Sequence, residues 1–373
     1  MFKIISTRLA IGLSILISVS ACTLKDQTVQ IGSSENESSL LETVPCWLNK
    51  HVSDNIVGQV GLSRDIYIGG EKPVVKSRRR ALLSLSSYLG LKVDTSNIKE
   101  DDEKLETNGQ TFNFAQDISK DGYVYSYVTL GEKPATLPSC LPETCRIDTC
   151  SPKWLCYPSS ENEFAALGMS FQATSPVEQD IKSIENALIQ AAYINGADIE
   201  AYKYLKLLNT GDANLSSLQE TSSVQVDNAG SLSYLVTDRC FSGATLFNRV
   251  AFPKLMSNTE QVIFDQNDKA WLKNPKYKNF DGAIGAVERQ TASGLLSDQI
   301  KLAVKRAAIQ LAFEEQSEVS EELIVVQFKS GRQLLVENIK EQTSVSLSAR
   351  IMSFHFDQTE SGRLKVYVWL AKI

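Results

Sequence analysis

Cysteine is the residue type in this chain whose number and spacing most clearly imply chemistry. Six cysteines lie beyond position 22, at Cys46, Cys140, Cys145, Cys150, Cys156 and Cys240. In an oxidising compartment an even set of thiols predicts disulfides, and the spacing does not decide which thiols pair. Four of them crowd positions 140–156, so a zinc site with four thiolate ligands is the alternative. The paired CxxC spacing typical of such sites is missing, and we expect disulfides and no metal site.

The other residue types that serve in catalysis form no recognisable motif. The chain has two histidines. His51 lies in a polar stretch and is expected in solvent, whereas His355 is expected on the surface of a strand. Signatures of serine hydrolases, zinc proteases, phosphate-binding loops and dinucleotide-binding folds are missing. We therefore expect no catalytic residues, no cofactor and a non-enzymatic function.

The first 21 residues have the pattern of a signal peptide, with basic residues, an apolar run over 9–19 and small residues at its end. The run is shorter than the about 20 residues of a membrane-spanning helix. The cysteine that follows, Cys22, resembles that of the bacterial lipobox. The resemblance implies cleavage before Cys22 and lipid attachment to it, and Thr23 in place of Asp favours the outer membrane. A plain secretory signal and a transmembrane anchor are the alternatives.

Composition limits the class of partner. The chain carries a net charge of −6 with both signs mixed along it, and no basic face of the kind that nucleic acid needs is visible. Residues 22–44 are rich in Ser, Glu and Asn, which is typical of a flexible tether. We expect a membrane contact through the lipid on Cys22 and no nucleic-acid partner.

A weak repeat organises the rest of the chain. Three Trp-Leu pairs begin at Trp47, Trp154 and Trp271, and a glycine follows each tryptophan after fourteen positions, at Gly61, Gly168 and Gly285. Because each tryptophan occupies the same place in a repeat, we expect all three to be buried in the core rather than to bind a ligand. The recurrence predicts three copies of one structural unit.

The same order of elements follows each glycine. Apolar residues at helical spacing predict helices over 75–89, 176–192 and 300–312, the second capped by Ser175. Hairpins are predicted over 111–130 at Asp121-Gly122, over 232–252 at Ser242-Gly243 and over 351–370 at Ser361-Gly362, with extra strands over 323–328 and 333–336. The expected fold class is α+β, with three tandem two-layer β-α-β-β units, each a helix on a small antiparallel sheet.

These patterns divide the chain into six segments. A lipoprotein signal peptide is expected over 1–21, a tether over 22–44 and a first repeat unit over 45–133. A linker rich in Cys and Pro follows over 134–152. The second unit is expected over 153–255 and the third over 269–373.

A Trp-Leu pair, a short strand ending in Gly, an Ala-rich helix and a hairpin near the end of the unit resemble the Lpp-twenty lipoprotein family. Related domains occur in tandem in the flagellar assembly protein T. The resemblance implies a lipid-anchored scaffold or binding protein of the outer membrane, with envelope or flagellar proteins as partners. A lipoprotein that crosses the periplasm to regulate a cell-wall synthesis enzyme is the alternative. The oligomeric state and the membrane face remain open.

Overall fold

The computed structural model describes residues 43–53, 56–67, 70–131, 133–160, 163–210, 213–226, 232–255, 269–276, 280–328, 333–359 and 363–373. The expected signal peptide, Cys22 and nearly all of the expected tether lie outside these residues. The described helices are α1 (Pro73–Leu89), α2 (Pro176–Ala192) and α3 (Leu296–Glu315). The described strands are β1 (Val44–Pro45), β2 (Val52–Ser53), β3 (Ile56–Arg64), β4 (Lys104–Thr107), β5 (Gln110–Lys120), β6 (Tyr123–Leu130), β7 (Ser139–Cys140), β8 (Ala165–Ser170), β9 (Ala197–Asn209), β10 (Asn214–Val226), β11 (Leu235–Ser242), β12 (Thr245–Ala251), β13 (Gly282–Val287), β14 (Glu318–Gln327), β15 (Gln333–Leu347), β16 (Ala349–Gln358) and β17 (Leu364–Lys372).

Each helix packs on an antiparallel sheet, and the expected α+β class is confirmed. In the first helix–sheet pair, α1 lies on a sheet of order β2-β3-β6-β5-β4. In the second, α2 lies on β11-β12-β8, and in the third, α3 lies on β13-β17-β16. A further four-stranded sheet, β10-β9-β15-β14, combines strands that follow α2 with strands that follow α3.

The three repeated glycines lie where a helix backbone touches a strand. A Cβ atom on Gly61 would lie 1.8 Å from the carbonyl oxygen of Ser77 in α1. The corresponding distance is 2.4 Å from Gly168 to Ser183 in α2, and 1.7 Å from Gly285 to Ala303 in α3. Since non-bonded heavy atoms do not approach so closely, only glycine allows the helix to lie at this depth.

Small residues on the helices complete the same contact. Four positions after the touching residue, each helix has a fully buried alanine, at Ala81, Ala187 or Ala307. Residues four apart lie on one helix face, so the small side chains form a flat strip against the strand. The Ala-rich faces noted in the sequence therefore set the depth of packing.

A β-bulge recurs at one place in the three sheets. The register between the last two strands shifts between Phe114 and Gln116 in β5, between Val236 and Asp238 in β11, and between Ile351 and Ser353 in β16. In each sheet, the residue two positions after the bulged residue pairs with a residue of the middle strand. That same residue of the middle strand pairs on its other side with the repeated glycine. The bulge and the glycine thus keep a constant spacing across the three sheets.

The predicted hairpins are largely confirmed. The hairpin predicted over 111–130 corresponds to β5 and β6. Asp121 and Gly122 at its turn both have positive φ, as a type I′ turn requires. The strand expected over 232–237 instead runs over Leu235–Ser242, because it pairs with β12 from Leu235 opposite Ala251 to Ser242 opposite Thr245. The third turn, Ser361-Gly362, lies outside the described residues.

The tryptophans differ in burial, which corrects part of the expectation. Trp47 and Trp271 are buried and stack on Tyr127 and Trp369, with ring centroids 5.2 and 5.9 Å apart. Trp154 is only partly buried. The position equivalent to the two stacking rings holds Arg249, which pairs with Glu163, so Trp154 has no aromatic ring there to cover it.

Replacing Gly285 by alanine tests the close contact. We expect Gly285→Ala to lower the free energy of unfolding by about 3 kcal/mol, the upper end of the usual cost of overpacking, because its Cβ meets helix backbone. Ala286→Ser, on the opposite face of the same strand, should leave stability within about 0.5 kcal/mol. Urea denaturation measures both, and equal stabilities would contradict the contact.

Candidate partner-binding surface

Two long hairpins join into one sheet that we call the arm, made of β9, β10, β14 and β15. β9 pairs with β15 over 13 residues, from Ala197 opposite Leu347 to Asn209 opposite Leu335. β10 and β14 are the two edge strands. A strand of this length spans about 40 Å, so the arm is long relative to the six-residue strand β8.

One end of the arm is fixed to the third helix–sheet pair. Ala197, Ile199 and Leu347 are buried there. The hydroxyl of Thr343 donates to the carbonyl oxygen of Ala312 at 3.1 Å. The ammonium of Lys203 lies 3.9 Å from the ring centroid of Phe313 in α3. The base of the arm therefore has the packing of a core.

The other end exposes large apolar side chains, and several of the most exposed share one face. Leu218 is 59% exposed, Leu323 is 56% exposed and Val325 is 55% exposed. Directly paired residues of antiparallel strands share a face, and the register places Leu205, Leu207, Ile339 and Leu335 on this same face. A contiguous exposed apolar patch of this kind marks an interaction surface.

Charge is concentrated on the arm. Its four strands carry eight carboxylates and three ammonium groups, a net charge of −5, whereas the whole chain has −6. On the face with the apolar patch the charged residues are Glu220, Glu321, Glu337, Glu341 and Lys203, and Lys203 lies 3.7 Å from Glu341. The patch is therefore surrounded by unbalanced negative charge.

The opposite face carries polar contacts within the arm, and towards its tip it also exposes Leu215, Ile324 and Val326. The rings of Tyr202 and Tyr204 lie parallel, 6.5 Å apart. The Tyr204 hydroxyl donates to Asn338 at 2.7 Å, and the Lys340 ammonium lies 5.3 Å from the Tyr202 ring. Because these polar groups interrupt the opposite face, the face with Leu218, Leu323 and Val325, called the apolar face, is the better candidate for contact with a partner.

The six cysteines beyond Cys22 form three disulfides, which confirms the expected chemistry. Cys46 pairs with Cys140 and Cys145 with Cys240, across 94 and 95 residues, while Cys150 pairs with Cys156. The segment 134–152 is thereby bonded to β11 and to the residues before β2. Because every one of these sulfurs is bonded to another sulfur, the four-thiolate zinc alternative is wrong.

His51 corrects the sequence-based expectation. It is 1% exposed rather than solvated, because its backbone N–H donates to Thr237 and draws the residue against β11. Burial, with a smaller effect from the nearby Arg239 cation, holds the pKa of His51 well below its usual range. His355 lies half-buried on β16 beside Tyr367, in keeping with its expected place on a strand.

Among the described residues, no cluster of three or more His, Cys, Asp or Glu side chains could hold a metal ion. No described helix has the length and apolar character needed to cross a bilayer.

The hairpin of β9 and β10 was missed by sequence reasoning. Alternation of apolar and polar residues over Ala197–Ala201 was the available signal. β10 itself is mostly Ser, Thr, Gln and Glu, and it becomes a strand by pairing along its full length with β9. The expected strands over 323–328 and 333–336 are parts of the longer β14–β15 hairpin.

The burial of His51 predicts a stability that depends on pH. As the pH falls, the histidine of the unfolded chain binds a proton near its ordinary pKa of 6.5. In the folded chain the same histidine binds a proton only at a lower pH. Stability should therefore fall on going from pH 7.5 to pH 5, by at most about 1.4 kcal/mol per pH unit from this group. His51→Gln should flatten this slope and His355→Gln should change it less, as followed by thermal unfolding. Identical slopes for wild type and His51→Gln would contradict the burial.

Comparison of the chain with protein-family models, with curated proteins and with solved structures finds no match. The exposure, register and charge of the arm are the observations that bear most directly on function.

Proposed function

We propose that this protein is a lipid-anchored lipoprotein of the cell envelope, of the Lpp-twenty type, that acts as a non-enzymatic scaffold in outer-membrane or flagellar assembly. Its partner-binding surface is the apolar face of the arm. The observation that carries the proposal is the exposure of Leu218, Leu323 and Val325 within a sheet of net charge −5. The occupant is a protein segment with basic and apolar side chains.

Charge favours such a partner over a second copy of this chain. Two arms packed face to face would bring Glu220, Glu321 and Glu337 against like charges, which is unfavourable in a desolvated contact. A partner with Lys or Arg around an apolar centre would match both features of the face. Complementary charge also speeds encounter, which suits an assembly factor.

The edges of the arm support the same role. β10 and β14 present unpaired backbone groups along one side each, and unprotected edges of this kind readily add a strand from another chain. Glu318, Glu321 and Glu322 on β14 disfavour pairing with an acidic strand and tolerate a basic one. The apolar face and the edge strands of the arm therefore both favour a positively charged partner.

The proposal includes three divergent copies of one β-α-β-β unit. It is supported by the constant spacing of the glycine contact and the β-bulge in the three helix–sheet pairs. In the second and third copies, a hairpin inserted after the helix supplies half of the arm. The arm is then the feature that distinguishes these two copies from the first.

Site-specific photocrosslinking in cells tests the arm. A photoreactive residue at Leu323 should give an adduct with a discrete envelope protein, and one at Leu141, which is 54% exposed, serves as the matched control without adduct. Converting Glu321 and Glu322 to lysine should reduce the adduct at Leu323. Flagellar or outer-membrane partners favour the scaffold function, whereas a wall-synthesis enzyme favours the regulator. Equal adducts at both positions, or a homodimer alone, would refute binding through this face.

Metabolic labelling with palmitate tests the anchor. Label should enter the wild type and the Thr23→Ser variant, and it should be lost from Cys22→Ala, because the proposal places the lipids on that cysteine. Fractionation should then find the Cys22→Ala variant away from the membrane. Undiminished label in Cys22→Ala would show that the attachment point is wrong.

A further inference from the structure

A cleft of about 230 Å³ lies between the first and second helix–sheet pairs and is lined by no residue of the arm. Its walls come from α1 and α2, and its floor comes from β3, β11 and His51. The volume is below the about 300–1,000 Å³ of sites for drug-sized ligands, so its occupant must be small.

The floor is held by hydrogen bonds between the two sheets. The side chain of Gln59 donates to the carbonyl oxygen of Val236 at 2.7 Å, and the backbone N–H of His51 donates to Thr237 at 2.8 Å. The backbone N–H of Arg239 donates to Asn49 at 2.6 Å. Because backbone and buried amide groups make these bonds, the cleft is preformed.

His51 lines this cleft with both ring nitrogens unused. The residue is 1% exposed, and neither Nδ1 nor Nε2 has a hydrogen-bond partner among the described protein atoms. A donor and an acceptor that are buried without partners are unfavourable. Burial keeps the pKa of this ring low, so it offers one donor and one acceptor as a neutral imidazole.

The cleft has an excess of positive charge. Arg80 in its wall forms no ion pair with a described residue and donates to the carbonyl oxygen of Leu62. Asp180 and Arg239 also line the cleft and pair with each other, whereas Glu71, outside the cleft, pairs with Arg79. Arg80 is therefore the cation of the cleft that is left for an anionic ligand group.

The rim of the cleft is apolar. Leu83 of α1 is 48% exposed and Ile181 of α2 is 50% exposed, and Val177 and Ile184 line the same wall. An aliphatic chain that lay between the helices would remove these side chains from water. The combination of an apolar rim with one unpaired cation is typical of a site for an amphipathic anion.

We infer that this cleft binds a small aliphatic carboxylate, with its carboxylate towards Arg80 and His51 and its chain between Leu83 and Ile181. This binding is separate from the scaffold function, because it uses no residue of the arm. It places a ligand where the first two helix–sheet pairs meet.

The two histidines make the test direct. In the protein with ¹³C-labelled histidine, titration with hexanoate should shift the ring signal of His51 and leave that of His355 unchanged. Hexanol and hexylammonium, which have the same chain without the negative charge, should shift neither. Failure of hexanoate to move the His51 signal, or equal shifts with hexanol, would overturn the inference.

Two variants and a matched control separate the cleft from general charge effects. Arg80→Met and Ile181→Asp should each raise the Kd for hexanoate by about tenfold or more, since each removes one of the two binding features. Lys76→Met removes the same charge from an exposed position of α1, outside the cleft, and should change Kd by less than about twofold. The His355 signal and thermal unfolding report whether each variant is folded. Equal weakening by Lys76→Met would show non-specific attraction to the helix and would refute the site.

Discussion

The closest approach of helix to strand, at Gly61, Gly168 and Gly285, is the constraint on which the three helix–sheet pairs depend. At each place the helix backbone occupies the volume of a missing Cβ. This depth brings the fully buried alanines Ala81, Ala187 and Ala307 against the sheet. A small sheet offers little area for a core, so close packing of small residues replaces the bulk that large side chains supply elsewhere.

The charged side chains next to this contact differ among the three helix–sheet pairs. In the first pair Arg78 of α1 meets Asp117 of β5 at 2.5 Å, whereas in the second Asp180 of α2 meets Arg239 of β11 with the charges exchanged. The corresponding strand position in the third pair is Phe354. Buried ion pairs add little net stability. They do specify partners, because α1 placed on the second sheet would bring Arg78 against Arg239.

Local patterns predicted the parts of this structure that depend on neighbouring residues. Asp121-Gly122 identified a hairpin, since both residues readily take positive φ. Ser175 identified the start of α2, where its hydroxyl accepts from the backbone N–H of Glu178. The even number of cysteines indicated disulfides, but the pairing of Cys46 with Cys140 spans 94 residues, and spacing along the chain carries no information about it.

The features that escaped prediction depend on distant segments. β10 has the composition of a loop and is a strand because β9 lies beside it. His51 has polar neighbours in sequence, and its burial results from contact with β11, almost 190 positions away. The apolar face of the arm likewise needs β9 and β15 in register, which neither segment encodes alone.

The pairing of β9 with β15 also orders the folding of the chain. Residues that lie opposite each other in these strands are separated by 126 positions at Asn209 and Leu335, and by 150 at Ala197 and Leu347. Contacts of such separation form late, because the loop between them must close first. During synthesis one edge of the β9–β10 hairpin therefore remains unpaired until β15 has been made. A chain that stops before β15 would expose the edge of β9 to any strand able to pair with it.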